Sequence, residues 1–196
     1  MEKEIELSKP KKKGPVSIEE TLNRRRSVRS YEKAPLGLED VSQLLWAASG
    51  TNLYGRTAPS AGATYPLETY LAAGEVEGLN PGLYRYSYSR HSLEGKREGD
   101  LRRKLARAAL EQRMIERAPA TVIVAADYSR TTGRYGPRGG RYVHMEIGHV
   151  GQNISLQAIA LGLGTVMIGA FEDNDVKEIL GIEEEPLYII PVGRAR

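Results

Sequence analysis

Arg24-Arg25-Arg26-Ser27-Val28-Arg29 places four guanidiniums within six residues. So many permanent charges repel one another unless an anion sits among them. Just upstream, Ser17-Ile18-Glu19-Glu20 reads as a capping box, where a Ser hydroxyl and a Glu carboxylate satisfy exposed N–H groups at a helix start. The spacing predicts a helix from there to about Ser27. On it Arg25 and Arg29, four residues apart, share a face, while Arg26 points about 100° away. Arg25 and Arg29 can then grip one anion together, with the Ser27 hydroxyl nearby, and arginine's planar fork suits phosphate oxygens. The alternative is a solvent-facing basic helix end, which the helix dipole also favours. Arg24 reads as surface.

Three other stretches could meet a ligand. Pro59, Ser60, Ala61 and Gly62 open a run of small residues, Ala58–Glu68, that lets backbone approach a flat molecule closely. Ile168, Gly169 and Ala170 end an apolar run so that backbone N–H groups face outward with little side chain in the way. Arg194 and Arg196 follow the last apolar run and can complete an anion site. A surface turn and a frayed basic end are the plain alternatives. Neither Gly-x-Gly-x-x-Gly after a strand nor a Gly-Lys-Ser/Thr loop occurs, so a nucleotide has no dedicated loop of either kind.

Groups that react by themselves are scarce. There is no cysteine, which removes disulfides, thiolate nucleophiles and cysteine-ligated metals. His144 and His149 are five apart on one helix, about 140° around its axis, and cannot form a same-face metal pair. His91 falls in a surface segment. No Ser-His-Asp arrangement or close carboxylate pair stands out, and no metal site is expected. A chain with few reactive groups of its own points to a cofactor that supplies the chemistry.

The elements that must position these groups are legible in outline. Leu38–Ala48 reads as an amphipathic helix ending before Gly50. Strands are expected at 68–74, 82–88, 120–126, 165–168 and 187–192, with a polar helix at 100–116. A glycine-rich basic loop is expected at Arg130–Arg141, a long helix at 142–161 and a short helix from Asp173 to Gly181. Strands and helices alternate irregularly, so the fold class is α+β with a mixed, mostly antiparallel sheet flanked by helices. At 196 residues the chain makes one domain, 17–196, behind a charged N-terminal arm at 1–16. That arm is either a solvated tail or packs on a partner subunit.

Charge is local. Residues 1–34 hold ten Lys/Arg against six Asp/Glu, while the remainder has eighteen against nineteen. The body lacks the diffuse basic face of a nucleic-acid binder, so nucleic acid is not the expected partner. No apolar stretch approaches the roughly 18–20 residues of a membrane helix, and no signal peptide is read, so a cytoplasmic protein is expected.

Taken in order, Arg25-Arg26-Ser27-Val28-Arg29-Ser30-Tyr31, Leu44-Leu45-Trp46-Ala47-Ala48-Ser49-Gly50, Pro59–Glu68, Gly82-Leu83-Tyr84-Arg85-Tyr86, Gly148–Asn153, Ile168–Phe171 and Pro191–Arg194 resemble the nitroreductase-like flavoprotein superfamily. Within it they are most similar to the SagB-type dehydrogenase branch. The resemblance spans about residues 17–196 and implies an FMN-dependent fold and a homodimer with FMN at the subunit interface. By that likeness Arg25, Arg26 and Ser27 hold the phosphate and ribityl chain with Arg194, and Arg196 lies nearby. Arg29 faces the pyrimidine edge, where positive charge favours negative charge on the ring. Pro59, Ser60, Ala61 and Gly62 reach the flavin from the other subunit. Ile168, Gly169 and Ala170 line the ring, with one N–H facing N5. The long helix is then the dimer core, with Ile147, Val150, Gly151, Ile154, Ala158 and Leu161 on its packing face.

The implied activity is hydride transfer through flavin N5, from NAD(P)H to a nitroaromatic, quinone or other small acceptor, the substrates taking turns. The alternatives are a SagB-type dehydrogenase oxidising a peptide azoline or other organic substrate, and a flavin-binding protein without turnover. Azoline dehydrogenases of this branch use a Lys-Tyr pair before the long helix, and here that place reads Arg134-Tyr135. Arginine keeps its proton at ordinary pH and cannot act as the base. Tyr135 remains as the one catalytic candidate, on the substrate side.

Overall fold

The computed structural model describes residues 4–196. The first three residues of the expected arm lie outside them. The centre is a seven-stranded sheet of β1 (Ile5–Glu6), β2 (Leu67–Ala73), β3 (Gly82–Ser87), β4 (Ser92–Glu98), β5 (Ala120–Ala126), β6 (Gly164–Thr165) and β7 (Glu185–Gly193). Their order is β1-β4-β3-β2-β5-β7-β6. Every ladder among the described residues is antiparallel. The helices are α1 (Ile18–Arg24), α2 (Leu38–Ser49), α3 (Arg102–Ala108), α4 (Met114–Arg117), α5 (Tyr128–Tyr135), α6 (Gly139–Ala160) and α7 (Asp173–Leu180).

Helices cover both faces of the sheet, so β2 and β5 are buried along their whole length. This is why Ala120–Ala126 is an unbroken apolar run rather than an alternating one. Val122 and Val124 join Leu44, Leu45, Val150 and Ile154 from α2 and α6 on one face. Ile123 and Ala125 join Leu105, Ile115, Val176 and Leu180 from α3, α4 and α7 on the other.

Several expected elements differ. The first helix stops at Arg24, and Arg25 already has ψ 123°. Arg25 and Arg29 therefore do not share a helical face. The polar helix at 100–116 is two short helices, broken where Leu110 and Glu111 take φ of 55° and 59°. An unbroken helix would set Leu105 and Ile115 about 80° apart, whereas the break lets both sink fully into one core.

The glycine-rich segment at 130–141 is helical. Asp127 caps α5 by accepting from the Ser129 N–H at 3.0 Å, and Gly136 ends it with φ 58°. A β-carbon at Gly139 would lie 2.8 Å from Thr132 Cα. That glycine allows α5 and α6 to touch; it does not mark a loop.

β1 and β4 were not expected. Both are short on apolar residues, and they pair with each other at the sheet edge. The arm continues along the same chain: Leu7 N–H donates to His91 O, and Lys11 N–H donates to Gln43. The Ser8 carbonyl accepts from Ser42 at 2.8 Å and lies 2.9 Å from His91 Nε2. His91 also meets Tyr86, so it is tied down, while Ser89 and Arg90 before it are exposed as expected.

Candidate functional site

From Arg25 onward the basic segment is extended and laid beside β6. Ser27 bridges to Thr165 in parallel, and Val28 N–H donates to the Thr165 carbonyl at 3.0 Å. On the other side Glu32 N–H donates to Arg194 O and Arg196 N–H to Ser30 O. Segment 27–32 is thus held between β6 and the C-terminal residues. Val28 is buried against Gly164, while Ser27 and Arg29, each one residue away, point outward with the period of two of an extended chain. Tyr31 lies behind them, its hydroxyl 2.8 Å from Val28 O and 3.1 Å from Pro191 O. Burial pushes its phenol far up, so it stays neutral.

Arg25, Arg26, Arg29, Arg194 and Arg196 are all exposed. Among the described residues none has a carboxylate within ion-pair distance, whereas Arg24 is tied to Glu20 at 2.8 Å. Unpaired guanidiniums held by backbone on one edge are suited to an anion.

Beyond β6 the chain returns to β7, where Ile168 and Ile189 exchange both backbone hydrogen bonds at 3.0 Å. Ile168 is buried, and Gly169 and Ala170 are exposed. The Ala170 carbonyl accepts from Gln112, but neither the Gly169 nor the Ala170 N–H has an acceptor among the described residues. The structure therefore sets 25–29, 168–170 and 194–196 along one end of the sheet, around β6 and its neighbours.

The Pro59–Gly62 stretch lies elsewhere. Ala61–Ala63 is a tight turn; Gly62 and Ala63 within it have φ of 58° and 54°, and Tyr65 just after it has φ 46°. The Ser60 hydroxyl accepts from Tyr65 N–H at 2.9 Å. α5 braces the turn: Thr64 and Thr131 hydroxyls meet at 2.8 Å, Arg130 donates to Tyr65 O and Arg134 to Gly62 O. Tyr135 packs edge-on to Tyr142 at 5.0 Å, its hydroxyl close over Gly62. Among the described residues no hydrogen bond or ion pair joins this turn to 25–29, 168–170 or 194–196.

Arg134 and Tyr135 are singled out in the sequence for another role, whereas the turn's further supports are not. Arg56 lies between the rings of Tyr88 and Tyr65, 3.5 and 4.4 Å from their centroids. Glu146 of α6 is buried nearby; burial raises its carboxyl above the usual range, opposed by Ser60, Arg56 and His149. Glu68 of β2, nearly buried, binds Arg85 at 2.9 Å and Arg130 at 2.7 Å. A glutamate inside the apolar stretch Leu67–Leu71 is the one sequence signal that could have exposed this network. A groove of about 440 Å³ between α1, α2 and α6, lined by Val16, Ile18, Trp46, Leu156 and Ala160 among others, contains none of the expected site residues. No cluster of metal-ligating side chains occurs among the described residues, and no helix among them is long and apolar enough to cross a membrane.

The sequence profile of the nitroreductase family matches residues 22–194. A protein of Methanocaldococcus jannaschii, provisionally named a nitroreductase, is 51% identical over 181 residues, covering 91% of each chain. The trifolitoxin operon protein TfxC of Rhizobium leguminosarum is 27% identical, covering 88% of this chain and 54% of that protein. A solved structure from Anabaena variabilis, also provisionally named a nitroreductase, is 34% identical with a TM-score of 0.82; it covers 91% of this chain, which spans 38% of that one. The architecture is the nitroreductase-like α+β fold, and the relatives agree with a place near the SagB-type branch.

Proposed function

The chain belongs to the nitroreductase family, and from that premise we propose that it is an FMN-dependent oxidoreductase acting as a homodimer. The observation that carries this reading is the set of unpaired arginines on segments held against β6 and the C-terminal residues, with Gly169 and Ala170, whose N–H groups have no acceptor among the described residues, further along the same side of β7. Arg25, Arg26, Ser27, Arg194 and Arg196 would hold the phosphate and ribityl chain. Arg29 would sit at the pyrimidine edge, and Ile168, Gly169 and Ala170 would border the ring with an N–H towards N5. Among the described residues no hydrogen bond or ion pair links the Pro59–Gly62 turn to these residues, and by the family likeness its place is the site of the partner subunit.

FMN, when bound, supplies hydride acceptance and donation at N5. The protein's part is to bind and orient it and to leave one face open. The expected substrates are NAD(P)H and a nitroaromatic, quinone or other small acceptor in alternation. A second reading, dehydrogenation of a peptide azoline or other organic substrate, is favoured by the likeness to the SagB-type branch. It is opposed by Arg134, which is not a base and is engaged with the Gly62 carbonyl. Tyr135 would remain a substrate-side group in either case.

The test is the colour of the purified protein. Bands near ~450 nm and FMN released on denaturation would support the cofactor. Arg25→Ala with Arg29→Ala should strip it, and NAD(P)H oxidation with menadione should report turnover. A colourless protein that binds no added FMN would refute the reading. FMN without turnover on any acceptor would leave a flavin-binding protein.

A further inference from the structure

The turn at Ser60–Gly62 closes on itself through Ala63 N–H to Ser60 O, Thr64 N–H and hydroxyl to Ala61 O, and Tyr65 N–H to the Ser60 hydroxyl, but it leaves the Gly62 carbonyl to a group outside the turn. Ala63 and Tyr65 are non-glycine residues in the left-handed region, at φ 54° and 46°, and such residues persist only where surroundings enforce them. To these internal bonds the surroundings add contacts from outside the turn. Arg56 lies over the Tyr65 ring, Thr131 meets Thr64, and Arg130 reaches the Tyr65 carbonyl. These act at its far end, residues 64–65. At the near end α5 contributes a hydrogen bond from Arg134 Nη1 to Gly62 O, 2.9 Å long, and the Tyr135 hydroxyl packed over Gly62.

Arg130 and Arg134 sit one helical turn apart with different surroundings. Arg130 is neutralised by Glu68 and Asp127, whereas Arg134 has no carboxylate within ion-pair distance among the described residues. Its bond to the carbonyl is charge-assisted and undiverted. A β-carbon at Gly62 would lie 3.0 Å from Arg134 Cζ and Nε and 2.4 Å from the Tyr135 hydroxyl. The guanidinium and the phenol thus close directly over Gly62, and only glycine tolerates both the φ of 58° and that approach.

We propose that Arg134 is a positioning residue that locks the Ser60–Gly62 turn to α5, so that this wall of the flavin site is formed before the flavin arrives. The inference rests on the FMN reading for its consequence, but the lock itself is a property of the chain without cofactor. It gives the position before the tyrosine a mechanical role here rather than a proton-transfer role. Lysine could keep one hydrogen bond to Gly62 but not the planar contact over it.

The experiment compares wild type, Arg134→Met and Arg134→Lys by hydrogen exchange of residues 59–66 in flavin-free protein, with FMN titration of the same samples. Arg134 is exposed, so the variants should keep the wild-type melting temperature and circular dichroism. The expected result is exchange about tenfold faster in this segment alone for Arg134→Met, with FMN bound about tenfold more weakly. Arg134→Lys should recover part of both. Unchanged exchange in Arg134→Met would overturn the proposal whatever the flavin does. Failure of wild type to bind FMN would overturn the functional reading, and exchange would still decide the lock.

Discussion

Gly164→Ala asks whether the basic segment is held by packing on β6. An added β-carbon would lie 2.7 Å from Cβ, Cγ1 and Cγ2 of Val28. Carbon atoms rest at about 3.5–4.0 Å, so the contact must open by about 1 Å. Neither side can yield easily. Val28 is 6% exposed, its N–H is bonded to Thr165 and its carbonyl faces the Tyr31 hydroxyl. Gly164 is not in the left-handed region, so the whole penalty is overpacking, about 1–3 kcal/mol. Val28→Ala alone should cost about 1.5–2 kcal/mol for two buried methyls. Combined, Val28→Ala removes the Cγ1 and Cγ2 contacts but keeps the Cβ one, so the double variant should be about 0.5–1 kcal/mol more stable than the sum. Urea unfolding of the four proteins measures this cycle. Because Ser27 and Arg29 flank Val28, Gly164→Ala should also weaken FMN binding. A wild-type urea midpoint for Gly164→Ala, or strictly additive penalties, would refute the packing of segment 27–32 on β6.

Arg102 is buried and binds Asp100 at 2.7 Å, Ala118 O at 2.6 Å and Glu75 at 3.4 Å. Arg102→Met should cost about 2–3 kcal/mol, less than a fully buried pair because both acids keep solvent; equal urea midpoints would contradict it. Burial opposes the Asp100 carboxylate, but hydrogen bonds and charge from Arg102 outweigh it and hold the carboxyl below its usual range. That contribution is present above the unfolded pKa and fades as pH falls through the folded one, so the gap between wild type and Arg102→Met should narrow below about pH 4. Glu146 has the opposite sign: burial raises its carboxyl, so its stabilising share exists at low pH and is lost as pH rises through the folded value. Glu146→Gln should therefore gain on wild type between pH 4 and pH 8 in thermal melts; the reverse trend would count against its burial. Gly139→Ala brings a methyl to 2.8 Å from the Thr132 backbone and should cost about 2 kcal/mol or more, with exchange rising first at residues 128–142.

What the sequence determined was local. Ala120–Ala126 announced a strand buried on both faces, Leu38–Ala48 announced a helix (though residues 41–49 are buried nearly all round rather than on one stripe), and Ser17 did cap a helix by accepting from Glu20 N–H. Each follows from side-chain periodicity or hydrogen bonds within a few residues. The site residues could be named in the same way, because arginine, glycine and small-residue runs keep their chemistry wherever they fold.

Their arrangement was decided by contacts distant in the chain. The basic segment leaves the helix because Val28 finds Thr165 and Gly164, 137 and 136 residues away, and because the C-terminal residues pair with Ser30–Glu32. Helical spacing at Arg25 and Arg29 gave no hint of that, since helix propensity is a weak preference that tertiary packing overrides. β1 and β4 pair at the edge with little apolar pattern to reveal them. The glycines at 136 and 139 resemble a loop until Gly136 is seen to end α5 at φ 58° and Gly139 to let α6 touch Thr132 of α5. Glu68 of β2, Arg130 and Arg134 of α5, and Arg56 of the loop after α2 likewise converge on one turn from three separate parts of the chain. Charge and residue type are written along the chain, but which unpaired charge meets which bare backbone depends on the close packing of non-local segments, and only the tertiary structure sets that.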